Sequence, residues 1–235
     1  MNQEINDLFA DHRDMVKMMT VAPEFVSQAD IRNLINLGVV VSAGHTDATY
    51  DETLKGFEAG IKAGTHIHNA MSGLTSREPG AVGAILDDKS VKAGIIVDGN
   101  HVSYPVVRLT KRLMDNRLFL VTDVMPPVGS AVTEYTIGTT DVFVRDGKCV
   151  TEEGLMAGSA LDMATAVRNC VQHVGIPMDE TLRMASTYPA ELMGLGNRLG
   201  RIKKGYSSNL TIFNNQLQVS GVVTDGRYLD FSSRQ

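Results

Sequence analysis

The first two thirds of the chain alternates short apolar runs, each ending in a polar cluster, with segments of helical periodicity. Val39–Val41, Ile95–Val97 and Leu118–Val121 are continuous apolar runs, a pattern typical of parallel strands buried on both faces. Val16–Ala22 and Ala63–Thr65 are weaker examples. The distances between the run ends are those of successive βα units, so the pattern predicts a parallel sheet with helical crossovers.

Helix-start signals stand in several of the intervening segments. Thr49–Glu52 has the form of a capping box, and Ser103 is a candidate cap for a helix with Pro105 in its first turn. Ser159–Asp162 has the form of a second capping box. We therefore expect helices after the second and fourth apolar runs and again near residue 163.

The pattern becomes β-rich towards the end of the chain. After about Gly196, short β-type runs alternate with Gly and Asn turns, and 142–150 predicts a hairpin that turns at Asp146-Gly147. We divide the chain into an α/β unit, residues 1–198, and a β-rich C-terminal segment, residues 199–235.

Four of the apolar runs lead into histidine or aspartate. His45, His66, His101 and Asp123 follow successive runs, and function in parallel sheets lies at the carboxyl ends of the strands. Closing the sheet would bring these ends around one mouth. A complete (β/α)₈ barrel takes about 250 residues. We count about five βα units, so we expect an incomplete TIM-type barrel that lacks about three units at its N-terminal end.

Composition narrows the function classes. The 235 residues carry 22 Lys and Arg against 27 Asp and Glu, a net charge of −5, which argues against nucleic acid as a partner. No apolar run approaches the roughly 20 residues of a membrane span, and the polar N-terminus does not have the form of a signal peptide. Cys149 and Cys170 are the two cysteines, which excludes a disulfide framework or a cysteine-based zinc cluster. We expect a cytoplasmic protein.

Each candidate residue also has an ordinary structural interpretation. A single His45 after a strand is more often a hydrogen-bonded structural group than a ligand. His66 and His68, two residues apart, fit a metal pair on one strand face or a polar loop equally well. His101 fits a turn, and Arg77 fits either an anion site or a solvated loop.

The set taken together favours metal-assisted hydrolysis. A buried strand end is costly for Asp123 unless the carboxylate is paired or bound to a metal. Two histidines can hold a divalent ion that acidifies water. A nearby carboxylate can transfer a proton to a leaving amine, which contributes about 10²–10⁴-fold in rate.

An ordered series of motifs resembles the N-acetylglucosamine-6-phosphate deacetylases of the amidohydrolase superfamily, over essentially the whole chain. The motifs are Val41–Thr46, Thr65–Met71, Arg77–Gly80, Gly94–Val102, Val121–Met125, Ala157–Leu161 and Tyr188–Ala190. The resemblance implies hydrolysis of the N-acetyl group of N-acetylglucosamine 6-phosphate to glucosamine 6-phosphate and acetate.

The resemblance also implies roles for individual residues. His45 and His66 match metal-binding histidines, and Asp123 matches the catalytic aspartate. The ion would be zinc, or iron or another divalent metal. Arg77 matches an arginine that reaches the phosphate in the neighbouring site of a homodimer. The other positions that match substrate-contacting residues are Asn69, Ala70, His101, Met156, Ala157, Gly158 and Ser159.

The family chains are longer at the N-terminal end. There they supply the first barrel strands, a metal-binding glutamate and a histidine that polarises the acetyl carbonyl, for which we find no counterpart in this sequence. His68 stands where an aromatic or apolar residue is expected. Two alternatives follow: the chain is a weakly active or inactive fragment that binds sugar phosphate, or it deacetylates another N-acetylhexosamine 6-phosphate.

Overall fold

A parallel five-stranded sheet organises the first half of the chain. The computed structural model describes residues 12, 15–145 and 147–231. The sheet order is β1-β2-β3-β4-β5, and every neighbouring pair is parallel, which confirms the predicted parallel sheet. The strands are β1 (Met18–Val21), β2 (Val40–Ala43), β3 (Ala63–Gly64), β4 (Lys92–Ile95) and β5 (Leu118–Leu120).

Helices connect the successive strands of this sheet. The four crossover helices are α1 (Gln28–Asn36), α2 (Tyr50–Ala59), α3 (Gly80–Asp87) and α4 (Tyr104–Met114). Three further helices follow later in the chain, namely α5 (Met163–Asn169), α6 (Met178–Leu182) and α7 (Tyr188–Leu192). Turns of π-helix at Cys170–Val174 and Arg183–Thr187 extend α5 and join α6 to α7.

The helix starts agree with the sequence at two places and differ at a third. Thr49 and Glu52 form the predicted capping box at the start of α2. Ser103 precedes α4 with Pro105 in the first turn, although its side chain does not cap the helix. The Ser159–Asp162 capping box is wrong: Asp162 alone caps α5, and the Ser159 hydroxyl donates to the carbonyl of Thr122.

The apolar core lies between the sheet and its helices. One cluster packs Val21, Val41 and Ala43 against Ile31 and Leu34 of α1. A larger cluster surrounds β4 and β5 and continues onto the later helices. Burying a side chain of this kind contributes about 1.5–3 kcal/mol, so packing against the helices holds the sheet, and with it the strand ends, in place.

Two antiparallel sheets follow β5. The first contains β6 (Glu134–Ile137), β7 (Thr140–Arg145) and β8 (Lys148–Thr151), and the second contains β9 (Leu210–Phe213), β10 (Val219–Thr224) and β11 (Arg227–Asp230). The predicted hairpin is the β7–β8 pair, in which Gly147 has a left-handed φ of 72° and Asp146 lies outside the described residues. The second sheet confirms the β-rich tail.

Two isolated bridges extend the parallel pairing beyond the strands. Thr46 pairs with Met71, and Val124 pairs with Ser159, both in parallel orientation. These pairs tie the loops after β2, β3 and β5 into the same edge of the sheet. No helix in the described part of the chain is long and apolar enough to cross a membrane.

Candidate metal and substrate site

Polar side chains follow all five parallel strands. In strand order they are Glu24, His45, His66, His101 and Asp123. Because the strands are parallel and adjacent in chain order, their carboxyl ends lie along one edge of the sheet. The structure therefore places all four of the predicted strand-end residues at this edge, together with Glu24.

His45 and His66 meet through their imidazole rings. The two Nε2 atoms lie 3.0 Å apart, with ring centroids 4.8 Å apart and an interplanar angle of 71°. Two imidazole nitrogens, each about 2.0–2.1 Å from one tetrahedral zinc ion, would be separated by roughly 3.3 Å. The observed spacing thus suits two nitrogens that bind one ion.

His66 is the buried member of the pair. It is 6% exposed, and its Nδ1 atom is buried without a hydrogen-bond partner. Burial lowers the pKa of His66, the charge of Asp123 opposes that shift, and His45 adds to it. The neutral imidazole that results is the form that binds metals.

Backbone strain is concentrated at the same residues. His45, His66 and Asp123 have φ values of 49°, 31° and 50°, a region that non-glycine residues rarely adopt. His68 and Ala70 share this strain, at 78° and 45°. Such conformations cost about 1–3 kcal/mol each and cluster at functional sites. The strand ends are therefore held in conformations that the chain would not adopt by local preference.

Glu24 is a site residue that the sequence analysis missed. One of its carboxylate oxygens accepts a hydrogen bond from the Thr46 hydroxyl, and the other accepts from the backbone N–H of Asp47 at 2.8 Å. Glu24 comes just after the faint run Val16–Ala22, as His45 comes just after a stronger one. That shared position was the signal that could have identified it.

The imidazole nitrogens and carboxylate oxygens at these strand ends are atom types that bind divalent ions. They do not, however, lie close enough together to form a complete set of ligands. Among the residues that the structure describes, no three His, Cys, Asp or Glu side chains are placed to hold an ion together. The imidazole pair, with its close Nε2 atoms, is the part of the site that fits a metal.

His68 does not belong to the imidazole pair. β3 ends at Gly64, so His66 and His68 lie in a loop and do not share a strand face. The Nε2 atom of His68 is 2.7 Å from the hydroxyl of Thr110 on α4, and burial lowers the pKa of His68. The metal-pair interpretation of His66 and His68 is therefore wrong, and the partner of His66 is His45.

The loop after β3 is built by its own hydrogen bonds. The Asn69 side chain donates to the carbonyls of His66, at 3.1 Å, and Ile67, at 3.4 Å. The carbonyl of Ala70 accepts from the N–H of Thr46 at 3.0 Å, and Ala70 itself is exposed. Asn69 and Ala70 therefore lie beside His66 and Thr46, in the loop that follows β3.

Arg77 lies farther along, in an exposed loop. The neighbouring Glu78 accepts hydrogen bonds from the N–H groups of Tyr50 and Gly80, both at 2.9 Å, and so joins the starts of α2 and α3. Ser72 also accepts from the N–H of Ala81 at 2.8 Å. The amides at the start of α3 are thus already paired, and the Arg77 side chain lies exposed beside them.

The predicted substrate loop, Met156–Ser159, lies beside Asp123. The N–H of Ser159 donates to the carbonyl of Asp123 at 2.8 Å, and the carbonyl of Ser159 accepts from the N–H of Met125 at 3.0 Å. Gly158 has a φ of 77°, and a Cβ there would lie 2.2 Å from the Met125 side chain. The loop is therefore held against the end of β5.

The comparisons with known proteins identify the family. The profile of the Amidohydrolase family matches residues 2–229. This chain belongs to the amidohydrolase family. Its relatives include an N-acetylglucosamine-6-phosphate deacetylase from Haemophilus influenzae, 36% identical over 96% of this chain, and an N-acetylgalactosamine-6-phosphate deacetylase from a Shewanella species, 37% identical over 91% of it. The resemblance drawn from the motifs is confirmed.

Solved structures agree with the sequence relatives. An N-acetylglucosamine-6-phosphate deacetylase from Pasteurella multocida is 39% identical and superposes with a TM-score of 0.94 over 98% of this amidohydrolase chain. A mutant enzyme from Mycobacterium smegmatis, in complex with N-acetyl-D-glucosamine-6-phosphate, is 34% identical with a TM-score of 0.90 over 96% of the chain.

The amidohydrolase chain described here is shorter than these relatives. It spans 60% of the Haemophilus protein and 54% of the Shewanella protein. It likewise covers 61% of the Pasteurella chain and 60% of the Mycobacterium chain. Enzymes of the amidohydrolase family are metal-dependent hydrolases.

Proposed function

We propose that the chain carries the catalytic end of a metal-dependent deacetylase that hydrolyses the N-acetyl group of N-acetylglucosamine 6-phosphate, yielding glucosamine 6-phosphate and acetate. The observation that carries this proposal is the pair of Nε2 atoms of His45 and His66, 3.0 Å apart, with Asp123 on a nearby strand end. Two relatives that are 36% and 30% identical to this chain are named N-acetylglucosamine-6-phosphate deacetylases, which supports the choice of substrate.

His45 and His66 would hold the ion, with the Glu24 carboxylate at the end of the neighbouring strand. A divalent cation supplies a Lewis acid that polarises a carbonyl and lowers the pKa of water. Zinc is the first choice because imidazole suits it as a ligand, although iron and other divalent ions share the preference. Thr46 and Asp47 anchor Glu24 at the adjacent strand end.

Asp123 would act as the proton carrier. Its carboxylate accepts a proton from the attacking water and returns it to the amine nitrogen as the carbon–nitrogen bond breaks. The effect of the Asp123 charge on the pKa of His66 supports this role, because it requires the carboxylate to be near the imidazole pair. The backbone of Ser159 is hydrogen-bonded to the backbones of Asp123 and Met125, and these bonds would hold Asp123 in place.

The substrate would lie across the loops after β3, β4 and β5. Asn69 and Ala70 would contact the sugar phosphate, and His101 would contact a sugar hydroxyl, with Met156–Ser159 covering the other side. In a homodimer, Arg77 would bind the phosphate of the substrate in the neighbouring subunit. Its exposed position in a loop that is fixed by the hydrogen bonds of Glu78 supports this role. Local charge must attract this anionic substrate, because the chain carries a net charge of −5.

We also infer the architecture of which this chain is part. The five parallel strands are part of a (β/α)₈ barrel, residues 1–198, and residues 199–235 are part of a smaller β-sandwich. The edge at which the polar residues gather supports the barrel, since barrel active sites lie at the carboxyl ends of the strands.

The test is a deacetylation assay on the chain loaded with zinc. We expect release of glucosamine 6-phosphate from N-acetylglucosamine 6-phosphate, and at least tenfold lower kcat/KM on N-acetylglucosamine without the phosphate, because the phosphate would lose its charge-assisted contacts. Absence of release from every N-acetylhexosamine phosphate tested would contradict the proposal.

Two second candidates rest on specific observations. The Shewanella relative, 37% identical, is named for N-acetylgalactosamine 6-phosphate, so a higher kcat/KM on that isomer would select it as the substrate. The absence of a three-residue metal group among the described residues favours a chain that binds sugar phosphate without turnover. Substrate binding without acetate release would select that candidate.

A further inference from the structure

The turn after β4 is organised around the carboxylate of Asp98. One oxygen, Oδ1, accepts hydrogen bonds from the backbone N–H groups of Asn100 and His101, both at 2.8 Å. The other, Oδ2, lies 2.7 Å from Nδ1 of His101. A single side chain thus fixes both the backbone of the turn and the ring of the histidine.

The pair is well shielded from water. The side chains of His101 and Asp98 are 7% and 12% exposed. Burial alone would raise the pKa of Asp98, but the hydrogen bonds from the His101 ring and from the two N–H groups outweigh it, so the pKa lies below its ordinary value. Asp98 is therefore an ionised carboxylate, which only accepts hydrogen bonds, and Nδ1 of His101 must carry the proton between them.

A second contact supports the turn from the side of α4. Gly99 has a φ of 76°, and a Cβ at this position would lie 2.8 Å from the Tyr104 ring. Tyr104 in turn stacks on His173, with ring centroids 4.9 Å apart. The turn is packed so closely that it accepts only glycine at position 99, and this packing restrains Asp98 and His101.

The free nitrogen of His101 faces away from Asp98. Within residues 15–145 and 147–231, Nε2 of His101 makes no hydrogen bond, while Nδ1 is bound to Asp98. β4 lies between β3, which leads to His66, and β5, which leads to Asp123. His101 therefore stands between the imidazole pair and the candidate proton carrier, along the edge where the substrate would lie.

We infer that Asp98 is a positioning residue: it holds His101 in the tautomer with the proton on Nδ1, so that Nε2 is a hydrogen-bond acceptor for a ligand hydroxyl at the strand-end edge. The identity of that ligand, the sugar of N-acetylglucosamine 6-phosphate, rests on the proposed function. The tautomer and the orientation rest on the geometry of Asp98, Gly99 and Tyr104 alone.

The variant Asp98→Asn tests the tautomer without removing the side chain. The amide carbonyl keeps the two backbone contacts, but its NH₂ group then faces Nδ1 of His101 and favours the opposite tautomer, with the proton on Nε2. The ¹⁵N shifts of the ligand-free chain at about pH 8.5, about two units above the ordinary imidazole pKa, report which nitrogen is protonated. We expect the Nδ1–H form in the wild type and the Nε2–H form in the variant.

Asp162→Asn is the matched control. Asp162 caps α5 with one oxygen on the N–H of Thr165, and asparagine preserves such a cap. It should leave the ¹⁵N shifts of His101 unchanged. A wild-type His101 that is protonated on Nε2, or that gives the same tautomer in Asp98→Asn, would overturn the assignment.

Steady-state kinetics on N-acetylglucosamine 6-phosphate then tests whether Nε2 of His101 accepts a hydrogen bond from the bound substrate. Because the variant presents a donor where the ligand hydroxyl also donates, we expect KM to rise about tenfold with kcat within about threefold of wild type. A changed tautomer with an unchanged KM would overturn the positioning role. A wild-type chain that turns over no N-acetylhexosamine phosphate would instead overturn the proposed function. In that case the ¹⁵N shifts would still decide whether Asp98 sets the tautomer of His101.

Discussion

At the scale of single residues, the candidate site consists of side chains that follow strands in strained backbone conformations. Asp123 has a φ of 50° and lies beside the loop that carries Ser159. The imidazole pair of His45 and His66 is assembled from two neighbouring strand ends in the same way. Each of these residues can therefore be altered without removing the hydrophobic packing that holds the sheet.

The variant Asp123→Asn tests the proton carrier. Asparagine has nearly the shape of aspartate but cannot accept and return a proton, so we expect kcat for deacetylation to fall at least about 100-fold. Binding of N-acetylglucosamine 6-phosphate should stay within about threefold of wild type, as measured by titration calorimetry. Asp162→Asn, a change of the same type at the start of α5, is the control and should keep its turnover. Near-normal turnover in Asp123→Asn would remove the proton-transfer assignment.

The variant Thr46→Val tests whether the Glu24 carboxylate at the neighbouring strand end supports metal binding. The N–H of Ala48 donates to the buried Thr46 hydroxyl at 3.0 Å, so that hydroxyl directs its own proton to Glu24. Groups that surround the ligands of a metal site typically contribute 10–100-fold to affinity, and we expect a loss of about that size in zinc affinity, measured by competition with a chelator.

Thr46→Ser keeps the hydroxyl and is the control for that measurement. It should bind zinc within about threefold of wild type, because a serine can make the same two hydrogen bonds. Equal zinc affinity in the valine and serine variants would show that the anchoring of Glu24 does not matter to the metal.

Some of these residues could be predicted from the sequence and others could not. His45, His66, His101 and Asp123 follow recognisable apolar runs, so their position at the strand ends followed from parallel pairing. Glu24 follows the faint run of β1, where Pro23 obscures the end of the strand. Which two histidines face each other depends on loop conformations with positive φ, which no residue-spacing rule specifies.

At the scale of elements, one buried arginine joins the ends of two helices to the sheet. Arg117, just before β5, is 8% exposed, and its guanidinium donates five hydrogen bonds to backbone carbonyls. The carbonyls belong to Ile85, Leu86, Asp88, Val91 and Leu113. Four of these carbonyls lie at the ends of α3 and α4, where helix carbonyls have no partner within the helix, and that of Val91 lies just before β4.

Arg117→Ala should therefore destabilise the fold. It leaves several buried carbonyls without donors, and we expect the free energy of unfolding to fall by about 3 kcal/mol, measured by urea denaturation. Arg112→Ala, on the exposed side of α4, is the control and should change it by less than about 0.5 kcal/mol. Equal unfolding midpoints for the two variants would contradict a structural role for Arg117.

Element boundaries were harder to predict than element types. The alternation of strands and helices is confirmed because apolar runs and helical periodicity reflect burial directly. β3 contains only Ala63–Gly64, however, so a strand-face argument about His66 and His68 had no strand to rest on. The cap of α5 moved from Ser159 to Asp162 because Ser159 is used in pairing beside β5.

At the scale of the whole molecule, the chain spans about 60% of the length of the Haemophilus and Pasteurella proteins. This part includes the strand ends that carry the candidate metal site. Superposition with the Pasteurella enzyme at a TM-score of 0.94 shows that this part adopts the arrangement found in a longer chain. The question that decides function is therefore whether the imidazole pair and its neighbouring carboxylates hold an ion in the chain as it stands.

Zinc binding at equilibrium tests that question most directly. We expect one zinc ion per wild-type chain and loss of this binding in the double variant His45→Ala/His66→Ala, with far-ultraviolet circular dichroism to show that the variant is folded. A wild-type chain that binds no zinc, or a double variant that binds it as tightly as the wild type, would rule out the imidazole pair as a metal site.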